Sequence, residues 1–364
     1  MSVQSPGASV LEIEGLSVDF PTAEGVVHAV RGVDLRLAPR EVLGVVGESG
    51  SGKSVTALAT MGLLPRNAKT QGSIRVKGTE VLGAKEKALM GLRGRTISMV
   101  FQDPMTSLNP VYSVGWQIAE ALQAHQDIDK EEAMRRAVDL LTVVGIPNPK
   151  ERAKDYPHAF SGGMRQRVVI AIAMANDPEI ILADEPTTAL DVTVQAQILE
   201  ALKRALTETH SALVLITHDL GVIAGLADRV VVMYAGRAVE TGPVDEIFYR
   251  PAMPYTVGLL GSLPRLDRDG TERLRPIPGS PPSLLGELRG CPFAPRCPMR
   301  VPEVCDVEEP ALQPAGPQTG GVHLAACHFA DKVAAGTTGP IFAATAVDLT
   351  DRVAAAEGEL RTGP

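Results

Sequence analysis

The sequence predicts an α/β fold whose open sheet presents a ligand site at its strand ends. Three observations predict it. An apolar run, Val42–Val46, leads into Gly47-Glu48-Ser49-Gly50-Ser51-Gly52-Lys53-Ser54 and then a helical stretch. A second run, Ile180–Ala183, ends in adjacent carboxylates, Asp184 and Glu185. A helical pattern over Val192–Leu206 separates that run from a third, Ala212–Ile216, which is the pattern of a parallel crossover.

The remaining elements fall in order around these. Val10–Glu14, Leu16–Phe20 and Val33–Leu37 alternate as strands before the buried Val42–Val46. The helix from Ser54 stops before Pro65. Gly72–Gly78 reads as a short strand, and Ile97–Phe101 as a buried one running into Gln102. From Val114 to Val144 apolar residues recur at helical spacing, and Ser161 opens a further helix over Val168–Ala175. Val230–Tyr234 folds back through Ala235-Gly236 onto Arg237–Glu240 as a hairpin. Prolines and glycines are dense from Pro251 to Pro317, as in a loop-rich appendage. Ala330–Pro364 reads as flexible apart from a short helix over Leu349–Leu360.

Composition narrows the function. The 364 residues suffice for one large domain with an appendage, or for two ordinary domains. A net charge of −8 and a pI near 5.5 oppose a nucleic-acid surface or a polybasic lipid-binding face. No apolar run approaches the roughly 20 residues that span a bilayer. The start lacks the basic and apolar regions of a secretory signal, so folding in the cytoplasm is expected.

The residue types specify phosphate chemistry. Glycines let the loop curl its N–H groups onto one point, and the helix start adds partial positive charge. Lys53 would reach the β- and γ-phosphates, and Ser54 would offer its hydroxyl to Mg²⁺. Asp184 would hold the hydration shell of that ion, and Glu185 would polarise an attacking water.

Four further pieces carry a resemblance. Phe160-Ser161-Gly162-Gly163-Met164 resembles the signature of ATP-binding-cassette (ABC) ATPases. Gln102 resembles their Q-loop glutamine, Ala189-Leu190-Asp191 their D-loop, and Thr217-His218-Asp219 their switch histidine. Order and spacing match over residues 10–250. The resemblance implies a P-loop ATPase with an antiparallel β subdomain and a helical subdomain over about 103–170. It implies that Gly47, Ser49, Gly50, Ser51, Gly52, Lys53, Ser54 and Val55 hold ATP, with Phe20 stacking on adenine. It also implies that Ser161, Gly162 and Gly163 cap the γ-phosphate of a partner subunit, and that Asp191 communicates across that interface. Lys53, Gln102, Glu185 and His218 would serve hydrolysis, with Ser54, Gln102 and Asp184 around Mg²⁺. Val55-Thr56 departs from the family's commonest loop ending, Gly-Lys-Ser-Thr.

Within that family, Phe101–Pro110, Phe160–Val168 and Asp184–Gln197 resemble the oligopeptide/dipeptide importer ATPases, and Pro254-Tyr255-Thr256 and Ile277–Pro282 continue the match. That resemblance implies a heterodimer with a second ATPase, two membrane permeases, an external binding protein and a place at the cytoplasmic face of the membrane. Related systems carry nickel, glutathione or oligosaccharides, and soluble cassette ATPases form a more distant alternative. Cys291, Cys297, Cys305 and Cys327 lack paired Cys-x-x-Cys knuckles, which leaves an iron–sulfur cluster, zinc or unligated thiols. Cys291-Pro292-x-x-Pro295-Arg296-Cys297-Pro298 resembles the importers' C-terminal cysteine motif, which implies a 4Fe–4S cluster. The expected division is a flexible 1–9, an ATPase domain over 10–250, an extension with the cysteines over 251–330 and a flexible 331–364.

Overall fold

A computed structural model describes residues 9–188, 190–262, 277–316 and 321–336. Residues 1–8 and the expected helix over Leu349–Leu360 lie outside them. Twelve strands form two sheets among the described residues. The first comprises β1 (Leu11–Thr22), β2 (Gly25–Leu37), β4 (Lys69–Val76) and β5 (Thr79–Glu80), antiparallel in the order β2-β1-β4-β5. The two alternating segments expected at Val10–Glu14 and Leu16–Phe20 are one strand whose register slips between Ile13 and Leu16.

The second sheet contains β3 (Val42–Val46), β6 (Ile97–Val100), β7 (Ile180–Asp184), β8 (Ala212–Thr217), β9 (Arg229–Tyr234) and β10 (Arg237–Pro243), with β11 (Gln313–Pro314) and β12 (Leu324–Ala325) at one edge. Its order is β11-β12-β10-β9-β3-β8-β7-β6. The strands from β9 to β6 run parallel, and β7 pairs with β8 across helix Val192–Thr209 as the crossover requires. The hairpin through Ala235-Gly236 forms as expected.

Alternation divides the sheet's side chains between two cores. Leu43, Val45, Ile180, Leu182, Val214 and Ile216 face the first sheet and helix Lys53–Thr60. Val46, Ile181, Ala183, Leu213, Leu215 and Val232 face the helical side. There, helices Val114–Gln123, Lys130–Val143 and Gly162–Met174 bury Ile118, Leu122, Ala137 and Leu141.

The C-terminal part corrects two expectations. Residues 251–317 are not purely loops, because Pro254 starts a helix, Pro254–Gly261, from the position where a missing N–H costs nothing. Tyr255, Phe293 and Ala326 enter the core on the helical side of the sheet, so the extension shares that core. The tail expected to be flexible from Ala330 begins with a short helix, Ala330–Ala334. Its alanines pack with Ala252, Ala315 and Ala325, where small side chains permit close approach. Beneath them His323 Nε2 meets Glu240 Oε1 at 2.8 Å, both fully buried, and the same carboxylate accepts the N–H groups of Ala252 and Met253.

Candidate functional site

The phosphate loop leaves the end of β3 and enters helix Lys53–Thr60. Two of its glycines are sterically required. A Cβ on Gly47 would lie 2.2 Å from the Met233 carbonyl oxygen, and one on Gly52, at φ 99°, would lie 2.6 Å from that of Ala29. Lys53 is buried, and its Nζ donates to the carbonyls of Gly47 at 2.7 Å and Glu48 at 3.0 Å. Burial pushes its amine below the usual lysine range, and the Glu185, Asp184 and Glu48 carboxylates pull it partly back.

Asp184 ends β7 and accepts the Ser54 hydroxyl at 3.0 Å. Burial raises its carboxyl above the ordinary aspartate range; the Ser54 hydrogen bond and the Lys53 charge oppose this, while Glu185 adds to it. Glu185 follows with φ +46°, a left-handed backbone uncommon outside glycine. That turn brings Oε2 to the Thr188 hydroxyl at 2.7 Å, Gln102 Nε2 at 3.3 Å and His218 Nδ1 at 3.3 Å. Gln102 lies just past β6 and His218 just past β8, so three neighbouring parallel strands deliver the group at their C-terminal ends.

These residues share one open cleft of about 920 Å³. Gly47 to Val55 form its floor, Gln102, Glu185 and His218 one wall, and Val27, Ala29, Leu259, Ile277 and Leu284 an apolar wall. Asp184 sits behind the cleft, only 6% exposed. Phe20 does not line the cleft itself, but in the β1–β2 pair it stands directly opposite Val27, which does. Phe20 is half-buried against the core between the two sheets, and the apolar wall comes instead from β2 and the C-terminal segment. Oxygen donors on one side of a phosphate loop suit Mg²⁺, which is held by one or two carboxylates plus phosphate rather than by a closed protein cage. Ser54 and Asp184 fit that pattern.

Ser161, Gly162, Gly163 and Asp191 lie outside the cleft but share a corner. Ser161 caps helix Gly162–Met174 and Asp191 caps helix Val192–Thr209, accepting the Val194 N–H at 3.0 Å. A Cβ on Gly163 would stand 2.3 Å from Val194 Cγ1, so glycine lets the two helix starts touch.

All four cysteines are free thiols: Cys305 is buried, and Cys291, Cys297 and Cys327 are half-buried. The Cys291 N–H donates to the Cys305 carbonyl at 2.6 Å. Burial pushes Cys297 up to about 11 and Cys327 up to about 12, and raises Cys291; neighbouring thiols of the group reinforce each shift. Among the described residues, no three His, Cys, Asp or Glu side chains are grouped so that they could hold a metal ion.

Three residues of the site carry no motif signal of their own: Glu48, Tyr255 and Arg296. The Glu48 carboxylate takes both Arg296 nitrogens, Nη1 at 2.6 Å and Nη2 at 2.9 Å, and its N–H donates to the Tyr255 hydroxyl at 2.8 Å. Arg296 stands inside the cysteine motif, and Tyr255 inside Pro254-Tyr255-Thr256, so each lay in a segment legible for another reason.

Comparison with known proteins agrees with this geometry. Residues 30–188 match the family described as "ABC transporter", and residues 239–305 match "Oligopeptide/dipeptide transporter, C-terminal region". The oligopeptide transport ATP-binding protein of Mycobacterium tuberculosis is 55% identical over 319 residues, 87% of this chain and 51% of that protein. The chain thus spans about half the length of that relative and of its Mycobacterium bovis counterpart. The dipeptide transport ATP-binding protein of Bacillus subtilis is 54% identical over 82% of this chain and 89% of its own length. Its Salmonella typhimurium oligopeptide counterpart is 51% identical over 84% and 90%. Among solved structures, the dimeric ATP-binding cassette MJ0796, in a post-hydrolysis state bound to ADP and Pi, superposes with a TM-score of 0.58 and 27% identity, over 64% of this chain and 98% of its own. An antiparallel sheet, a parallel sheet and a helical region around one phosphate loop, with both family matches and these relatives, place the chain in the ABC transporter family, among the oligopeptide and dipeptide transport ATP-binding proteins.

Proposed function

We propose that this chain binds and hydrolyses ATP to power import of oligopeptides or dipeptides across a bacterial cytoplasmic membrane. The observation that carries the reading is Glu185, strained into the cleft mouth between Gln102, Thr188 and His218 while Lys53 and Ser54 line the phosphate floor. Phosphoryl transfer needs placement and charge neutralisation more than covalent help. Lys53 moves from the Gly47 and Glu48 carbonyls to the β- and γ-phosphates. Ser54 and Asp184, with Gln102 nearby, would hold Mg²⁺, which would supply neutralisation of the charge that develops on the phosphate. Glu185 orients the attacking water, and His218 contacts the γ-phosphate.

Ser161, Gly162 and Gly163 then serve the ATP bound by a second subunit. Their position outside this chain's own cleft supports that role, as does the dimeric form of the matched cassette. The partner we assign is a second, different ATPase; two permeases and an external binding protein complete the importer. The chain docks at the cytoplasmic face, and no described helix is long and apolar enough to cross the membrane itself. We assign residues 10–250 to the ATPase domain and 251–330 to an extension that holds the cysteines.

The test is Glu185→Gln. It is expected to bind ATP with wild-type affinity and to lose at least about 100-fold in turnover in the assembled importer. Undiminished hydrolysis would falsify the role given to Glu185.

The four cysteines are assigned to a 4Fe–4S cluster. Four thiols within one C-terminal segment have the donor chemistry of thiolate ligation, and the Phe329 N–H reaches Cys327 Sγ at 3.4 Å, a contact of the kind that supports a ligating sulfur. As placed they do not form a metal-holding group, so loading a cluster would have to draw them together. Anaerobic purification is expected to yield about four irons and four sulfides per chain. A single zinc, or neither element, would remove the cluster and leave the ATPase assignment standing.

A further inference from the structure

The phosphate loop is gripped from outside by two residues that no nucleotide motif contains. Arg296, 5% exposed, forks onto both carboxylate oxygens of Glu48. The fork is itself fixed: Nε donates to the Pro278 carbonyl at 2.9 Å, and Nη1 reaches the Tyr234 hydroxyl at 3.3 Å. Its guanidinium lies 5.8 Å from the Tyr234 ring centre and 6.0 Å from that of Phe293. Tyr255, fully buried against the same two rings, accepts the Glu48 N–H. Side chain and amide of one loop residue are therefore both held by the chain beyond residue 250.

Glu48 is the single acidic residue between Gly47 and Ser54, and it lines the cleft. An unpaired carboxylate there would repel a triphosphate, and a bidentate arginine cancels that charge. The Glu48 amide, committed to Tyr255, is withdrawn from the set of phosphate donors. Lys53 rests on the carbonyls of Gly47 and Glu48, so holding Glu48 also fixes the lysine's seat.

We infer that Arg296 and Tyr255 are positioning residues for the phosphate loop, through which the C-terminal extension shapes the loop and neutralises its one carboxylate before ATP arrives. This rests on the ATP reading above.

The experiment is calorimetric titration of the full chain with the slowly hydrolysed analogue ATPγS and Mg²⁺, in a double-mutant cycle. Arg296→Gln is expected to weaken binding about tenfold when residue 48 is Glu, and less than about twofold in the Glu48→Gln background. Tyr255→Phe removes one oxygen and keeps the ring. It is expected to weaken binding about threefold with the melting temperature nearly unchanged. Equal losses from Arg296→Gln in both backgrounds would make Arg296 a mere fastener of the extension and overturn its part of the inference. Wild-type affinity in Tyr255→Phe would overturn the other part. If the wild-type chain binds no ATPγS, the nucleotide reading itself falls; wild-type binding with an unaffected Arg296→Gln sinks only the inference.

Discussion

Asp184 is held where charge is costly. It is nearly buried, its carboxyl raised chiefly by desolvation, and only the Ser54 hydroxyl and the Lys53 charge compensate. A folded-state value above the unfolded one means that the native protein keeps a proton which the unfolded chain releases. Stability then falls as pH rises from the unfolded value through the raised folded one. Asp184→Asn keeps an oxygen for Ser54 and removes the charge, so without nucleotide it is expected to melt a few degrees higher at pH 7. The gap should close below about pH 4, where wild-type Asp184 is neutral in both states. Its hydrolysis should fall in parallel. A variant that melts lower than wild type at pH 7 would show that Asp184 is not under this strain.

At the scale of elements, helices Gly162–Met174 and Val192–Thr209 meet at their N-terminal ends, with Gly163 against Val194. Each helix has its own side-chain cap, Ser161 or Asp191, and a Cβ at Gly163 would collide with the Val194 side chain. Val194 is β-branched and stiff in a helix, so it cannot swing aside. Gly163→Ala is expected to cost about 1–3 kcal/mol by overpacking, read from denaturant unfolding. Adding Val194→Ala should recover most of that loss, and no recovery would place the strain elsewhere. The Ser161 cap and the glycine pair were visible in the sequence, because capping is local chemistry. The neighbour that makes Gly163 obligatory was not, because Val194 lies across a strand and a turn and no periodicity links the two segments.

Across the whole molecule, the C-terminal segment is built into the main sheet. β12 pairs with β10, and the buried His323–Glu240 contact joins that edge to the turn before helix Pro254–Gly261. His323→Leu leaves the Glu240 carboxylate buried with its backbone donors and without the imidazole. A loss of about 3 kcal/mol in a single cooperative unfolding transition is expected. An early, separate transition with the main one unmoved would instead make the segment an independent appendage, as its proline- and glycine-rich composition had implied.

The sequence by itself determined the order of the six main strands of the parallel-rich sheet and the long helices between them, the phosphate loop, the paired carboxylates and the family resemblance. Those rest on short-range regularities: side-chain period, caps, turn residues and motif spacing. Even the strained backbone of Glu185 sits inside a stretch legible as chemistry. Only the tertiary structure decided that Phe20 packs into a core, that the cleft's apolar wall comes from Val27, Leu259, Ile277 and Leu284, and that Ala330 begins a helix. It alone brought Arg296 to Glu48, 248 residues apart. Such contacts depend on which faces of distant elements meet, and the free energy that selects them comes from burying both surfaces at once, a quantity no local stretch of sequence contains.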